Sequence, residues 1–331
     1  MVTRPARSGQ GPILLLGAPR SGTSWLGKIF DSHPDVLYRH EPDAVHEDFG
    51  LPWLCPADDT PEMRAAAAAY VRRLAATATL KTSGIRPFFA KTYRGPLRQG
   101  LHAGVVLGLH GVAALGIGGR ARKAMPVPDL VRPGHQPCIV VKSVSAQGRA
   151  RVFARALPDA RFVVIVRDPW GHVASILRGT EQGKYESPAH VEWVLGTEQA
   201  RRHGLTAERL AALPHLEKLV WNWAIFNEKL IDDLSGIATV RIVRYHEFCA
   251  DPLREAHALF DFAGLRWHRQ TEEFIARSTN FSGRERYYQV FKDTARAVNR
   301  WRQDMPTEDQ KRVFAVLRET ALLPLCPDFA P

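Results

Sequence analysis

The sequence predicts an α/β fold, a parallel β-sheet flanked by helices, with a largely helical C-terminal third. Three observations carry this. Four short apolar runs rich in β-branched residues, at 13–16, 138–141, 162–166 and 239–243, read as buried strands. Helical patterns fill the intervals between them, as a covered parallel sheet requires. Beyond Asp251 the strand-like runs stop and every periodic segment is helical.

Each element has its own signal. The run 13–16 leads through a Gly-containing loop into an amphipathic helix over 23–30. Thr60 ahead of Pro61 marks the start of an Ala-rich helix over 61–80, because proline suits the first helical position. A helix over 147–156 precedes the third strand and one over 170–177 follows it. A longer amphipathic stretch, 216–234, leads to the fourth strand. The C-terminal third holds helical patterns at 252–263, 270–278, 293–302 and 307–317. Residues 95–137, rich in Gly and Pro, form the least regular text and read as an insertion. The reading is one domain, 12–331, behind a flexible N-terminus, 1–11.

Bulk properties narrow the partners. The chain has 331 residues with 45 Lys plus Arg against 34 Asp plus Glu, a formal net charge of +11. That balance favours anionic partners without choosing among them. Cys55, Cys138, Cys249 and Cys326 form no CxxC pair, which speaks against a zinc site or a disulfide framework and for a reducing, cytoplasmic setting. The first residues lack the apolar core of a secretory signal. The apolar stretch 101–118 is short for a membrane span and carries His102 and His110. With the basic residues that follow, 101–124 reads as a peripheral membrane contact, a solvated basic loop or a wall of a binding pocket. No nucleic-acid module is recognisable.

The chemistry begins after the first strand. Gly17-Ala18-Pro19-Arg20-Ser21-Gly22-Thr23-Ser24-Trp25 is a strand–loop–helix passage of the kind that surrounds an anion with backbone N–H groups. Gly22 admits close backbone approach, Thr23 and Ser24 add hydroxyl donors, and Arg20 supplies a planar cationic fork. The loop is P-loop-like, but the ATP-binding pattern GxxxxGK[ST] requires Lys where this chain has Thr23. A second anion cradle follows the third strand. Arg167-Asp168-Pro169 leaves the strand end and Ser175 lies in the next helix, so both side chains reach the edge where open α/β sheets bind ligands.

Together these passages resemble the sulfotransferase family that uses 3′-phosphoadenosine-5′-phosphosulfate (PAPS). Residues 18–25 look like its 5′-phosphosulfate loop, and Arg167 with Ser175 like its 3′-phosphate motif. Arg at position 20, followed by His33-Pro34-Asp35-Val36 and Tyr38-Arg39-His40-Glu41-Pro42, is nearest the carbohydrate and tyrosylprotein branch. The resemblance implies that Arg20, Ser21, Gly22, Thr23, Ser24, Trp25, Arg167 and Ser175 hold the nucleotide. It places Tyr245, in Val243-Arg244-Tyr245-His246-Glu247-Phe248, near the adenine. Arg296, Arg300 and Arg302 resemble a basic segment that closes over the nucleotide, but solvated helix charges are the default reading and these three are not counted among the site residues.

Sulfuryl transfer needs in-line attack by a hydroxyl and stabilisation of charge on the leaving phosphate. Arg20 and Lys142 are the cations expected to supply it without a metal. In Val140-Val141-Lys142-Ser143-Val144, valine stands where cytosolic members carry a catalytic His. By resemblance Glu41 is the base, on the loop after the 33–36 turn. His40 and His46 are rivals, and His40, Glu41 and His46 form a remote metal alternative. The acceptor is expected to be a hydroxyl, a glycan first and otherwise a lipid, peptide or secondary metabolite. An atypical P-loop kinase and a non-catalytic polyanion binder are the readings from other classes.

Overall fold

Ile13, Leu14, Leu15 and Leu16 are at most 2% exposed, with no polar alternation, because both faces of their strand are covered. Leu14 and Leu16 join one hydrophobic core while Ile13 and Leu15 join another. The two-residue period of a strand therefore sends its side chains alternately into two layers. The computed structural model describes residues 11–45, 50–115, 124–183, 192–279 and 294–326.

The chain runs β1 (Ile13–Leu16), α1 (Thr23–Ser32), β2 (Val36–His40), α2 (Pro61–Ala76), α3 (Leu80–Ser83), α4 (Pro96–Ala114), β3 (Cys138–Ser143), α5 (Ala150–Ala156), β4 (Arg161–Val166) and α6 (Pro169–Glu181). Short helices α7 (Glu192–Leu195), α8 (Glu198–Arg202) and α9 (Ala207–Ala212) precede α10 (His215–Leu234) and β5 (Val240–Arg244). The remainder is helical, as expected: α11 (Tyr245–Ala250), α12 (Pro252–Ala263), α13 (Arg269–Thr279), α14 (Thr294–Asn299), α15 (Trp301–Asp304) and α16 (Thr307–Arg318).

The sheet is parallel with order β2-β3-β1-β4-β5. Helices α2, α5, α6, α10 and α16 cover one face, packing Tyr70, Phe153, Trp170, Trp221 and Val313 into its core. Helices α1, α11, α12 and α13 cover the other with Leu26, Phe30, Phe248, Phe260 and Phe274. Since β1 lies between β3 and β4, the connections diverge at its C-terminal end, the place where open α/β sheets bind their ligands.

Three readings need correction. Residues 36–40 are an edge strand rather than loop: Val36 pairs Cys138 and His40 pairs Lys142 in parallel register. Arg39, which makes the run look polar, is 1% exposed because its guanidinium donates to the Ala75 carbonyl, Ser83 and Asp129. The Ala-rich helix stops at Ala76, where Thr77 and the Thr79–Thr82 capping box start α3. Within 95–137 stands the regular helix α4, which begins at Pro96 after Gly95. Smaller differences are the break of 293–302 into α14 and α15, and the start of α11 at Tyr245.

Candidate active site

The loop after β1 is built by its backbone. Gly22 stands at φ +91° as the cap residue of α1, and Arg20 is held at φ +71°. Both lie in the left-handed region, which costs a non-glycine residue about 1 kcal/mol or more. A Cβ on Gly22 would come within 2.5 Å of the Tyr245 ring, and one on Gly17 within 2.7 Å of the Ile165 carbonyl. Neither position has room for a side chain. Gly22 caps α1 without a side chain, and only from Trp25 onward do the helix N–H groups find a carbonyl, that of Gly22, which leaves those of Thr23 and Ser24 available to an anion. Ser21 is fully buried, Thr23 is 3% exposed, and Ser24 is exposed at the start of α1.

The two anion cradles meet. Arg20 Nε donates to Ser175 Oγ at 3.1 Å, across 155 positions of sequence. Arg167 Nη1 donates to the Arg20 carbonyl at 3.1 Å and Arg167 Nη2 to the Ala297 carbonyl at 3.1 Å. Its guanidinium lies 4.9 Å from the centre of the Tyr245 ring, and Trp223 Nε1 fixes its carbonyl at 3.0 Å. Asp168 caps α6 by accepting from the Gly171 N–H at 2.6 Å, and this orients Ser175 two turns on. His172 lies buried in α6, and burial, then Arg167 and Arg20, lower its pKa to about 3.

Tyr245 is 3% exposed and Trp25 is 6% exposed; both belong to the core behind the loop. Trp25 Nε1 donates to Ser278 Oγ at 3.0 Å, and its ring meets Phe248 edge-on. Tyr245 packs beneath the loop at Gly22, while Trp25 ties the start of α1 to α11 and α13. Of the C-terminal arginines, Arg300 pairs with Asp304 and Arg302 lies over Trp301.

A second cluster sits at the ends of β2 and β3. Glu41 N donates to the Lys142 carbonyl at 2.9 Å, which continues the strand ladder, and Glu41 itself stands at φ +45°. Its carboxylate is ion-paired with Lys142 Nζ and with Lys81 Nζ at 3.5 Å, and His40 Nε2 lies 3.8 Å away. Burial alone would raise the Glu41 pKa, but Lys142, His40 and Lys81 hold it at about 2. The sequence left burial and cations in competition here, and the cations win. His40 is lowered to about 3 by burial and by Lys142, and Tyr38 Oη meets its Nδ1 at 3.0 Å. Asp43 bonds the Ser143 hydroxyl, and burial raises its pKa despite that bond. Lys142 pairs with Leu15 in the β3–β1 register, so it emerges beside the residues that lead into the Arg20 loop. His46 lies outside the described residues.

The model of the Sulfotransferase family matches residues 12–269. The chain belongs to this family. A human relative, Carbohydrate sulfotransferase 6, is 26% identical over 323 residues, covering 91% of this chain and 77% of that protein. Mouse sulfotransferase SULT7A1, solved in complex with PAP, superposes with a TM-score of 0.45 at 13% identity, covering 96% of this chain and 86% of that one. The sulfotransferase domain from the curacin biosynthetic pathway gives 0.43 at 14% identity, over 93% and 98% of the two chains.

Within this sulfotransferase, sequence reasoning missed the side chains that hold the site from outside its motifs. Lys81 reaches Glu41 from α3, a single-turn helix with no anion-binding pattern of its own. Trp223 comes from the middle of α10, where an apolar helix face hides it. Only Ser143 had a signal, since it follows Lys142 on the same strand.

Proposed function

We propose that the chain transfers a sulfuryl group from PAPS to a hydroxyl of a carbohydrate acceptor, releasing 3′-phosphoadenosine-5′-phosphate (PAP). The observation that carries this reading is the meeting of Arg20 with Ser175 and Arg167. Two anion cradles from separate strand ends share one site, which suits a single nucleotide with phosphates at both ends. Similarity to a human carbohydrate sulfotransferase supports the acceptor class.

In this mechanism the loop N–H groups and Arg20 bind the 5′-phosphosulfate, while Arg167 and Ser175 bind the 3′-phosphate. The acceptor oxygen attacks sulfur in line, the bond from sulfur to the bridging phosphate oxygen breaks, and Arg20 and Lys142 stabilise the charge left on PAP. Glu41 takes the acceptor proton. Its pairing with Lys142 keeps it a carboxylate but makes it a weak base. An arriving phosphosulfate competes for Lys142, which relaxes its hold on Glu41 and raises the carboxylate's basicity when it is needed.

The test combines binding and product formation. Calorimetric titration should show PAP binding and none for ATP–Mg, and labelled PAPS should transfer its sulfuryl group to members of a glycan hydroxyl panel. Failure of PAP to bind overturns the donor. Donor binding with transfer only to lipid, peptide or other small-molecule hydroxyls overturns the acceptor class alone.

A further inference from the structure

Helix α4 is apolar on both sides, yet only one side is inside the protein. His102 and Val106 are buried, His102 Nδ1 meets the Pro128 carbonyl at 3.0 Å, and His110 Nε2 meets the Gly84 carbonyl at 2.9 Å. At about 100° per residue, the opposite side carries Leu97, Leu101, Gly104, Gly108, Val112 and Leu115 in one stripe. Leu97 is 90% exposed, Leu101 58% and Leu115 77%. Cβ atoms built on Gly104 and Gly108 would meet nothing within 4 Å. No other segment of the described chain covers this stripe, and a contiguous exposed apolar face of this kind marks an interaction surface.

The charge distribution identifies the partner. From 63 to 128 the sequence has eleven Lys and Arg residues and no Asp or Glu. The rest of the chain holds the other 34 basic residues against all 34 acidic ones, so the whole net charge of +11 resides in the segment that carries α4. A symmetric contact with a second copy would press two such segments together, and like charge opposes that. Lys91 and Arg94 are buried and Lys81 pairs with Glu41, but Arg72, Arg73, Arg86 and Arg98, the last on α4 itself, are exposed. An anionic bilayer surface offers both an apolar layer for the leucines and negative headgroups for these arginines. Among the described residues no helix is long and apolar enough to cross a membrane.

We infer that α4 seats the protein on anionic lipid bilayers, with Leu97, Leu101 and Leu115 entering the headgroup–acyl boundary. This goes beyond the proposed reaction and stands independently of it. The anchoring is mechanically close to the chemistry, because α4 holds Gly84 through His110 and α3, just before it, places Lys81 against Glu41.

Co-sedimentation of the full chain with vesicles is the test, using phosphatidylcholine alone and phosphatidylcholine with phosphatidylglycerol. The bound fraction should be at least about tenfold higher with the anionic vesicles and should fall with salt. The triple variant Leu97→Glu/Leu101→Glu/Leu115→Glu should lose binding, with its melting profile and PAP affinity unchanged. Leu253→Glu, at an exposed leucine of α12, should bind as the parent does. Equal or absent binding to the two vesicle types overturns the proposal. So does a dimer in light scattering that the triple variant dissociates, which would assign the face to a second copy. Should the variant misfold, the lipid and salt dependence of the unmodified chain decides by itself.

Discussion

The loop after β1 and the segment after β2 both deliver a charged side chain to the C-terminal edge of the sheet, by different means. Arg20 is presented by backbone geometry: Gly22 at φ +91°, no space for a Cβ, and Tyr245 packed beneath. Glu41 is presented by other side chains, Lys142 from β3 and Lys81 from α3, with His40 beside it. A backbone-built anion site works as a fixed cradle. A site built from opposed charges responds to whatever new charge enters it. Under the proposed function, the nucleotide end is the rigid half of the site and the acceptor end the adjustable half.

Substitution at the two charged residues should break the site in two distinguishable ways. Arg20→Ala should lower turnover by about a thousandfold and weaken PAP binding together, because one guanidinium serves both donor binding and the leaving group. Glu41→Gln should lower turnover by about a hundredfold or more while PAP affinity stays within about twofold. Calorimetry with PAP and single-turnover assays with labelled PAPS separate these outcomes. Loss of PAP affinity in Glu41→Gln would show that both halves bind the nucleotide and would remove the division of labour.

The same contrast explains what was legible in the sequence. The Arg20 loop, the Arg167–Ser175 cradle and the strands β1, β3 and β4 could be read because their signals are local: glycine spacing, a turn after a strand, an unbroken apolar run. Strand β2 was not readable because Arg39 interrupts it, and only tertiary partners on Ala75, Ser83 and Asp129 make a buried arginine acceptable there. Helix α4 was hidden by its own Gly100, Gly104, Gly108 and Gly111, each costing about 1 kcal/mol relative to Ala. Its inner face, fixed by His102 and Val106, overrides that propensity. The direction of the Glu41 pKa could not be read either, since against burial it is set chiefly by a direct pairing with Lys142 across 101 positions of sequence, with Lys81 adding a smaller push in the same direction.

A buried histidine, His172, and a half-buried one, His40, one in each half, give a smaller and more discriminating effect. His172 beside the nucleotide cradle and His40 beside Glu41 are both lowered to about 3 by burial and by neighbouring cations. Each stays neutral in the folded chain while its unfolded counterpart protonates near 6.5. Their contribution to stability is complete above pH 6.5 and is lost progressively as pH falls toward 3. Glu41, lowered from 4.5 to about 2, loses its contribution only across that more acidic window. Between pH 6.5 and 4.5 the histidines act before Glu41 does, at about 1 kcal/mol each by pH 5.5. Denaturant melts across this range should show stability falling with acidity, with a shallower slope in His172→Asn and in His40→Asn. An unchanged slope in either variant would place that histidine in contact with water.

The smallest effect tests whether the acceptor half has any locally encoded part. Thr60 caps α2 by accepting from the Met63 N–H at 3.2 Å, with Pro61 at the first helical position, and this helix start was legible in the sequence. Removing the hydroxyl in Thr60→Ala leaves one first-turn N–H without its side-chain acceptor and should cost about 1 kcal/mol. Because α2 packs Ala67, Tyr70, Val71 and Leu74 into the same core as Phe153 on α5, the loss should appear in global unfolding rather than as fraying alone. Turnover should be unchanged at temperatures well below the melt, since Thr60 touches neither cradle. A drop in turnover without a drop in melting temperature would mean that the start of α2 positions the acceptor, and the adjustable half would then extend well beyond Glu41 and its three neighbours.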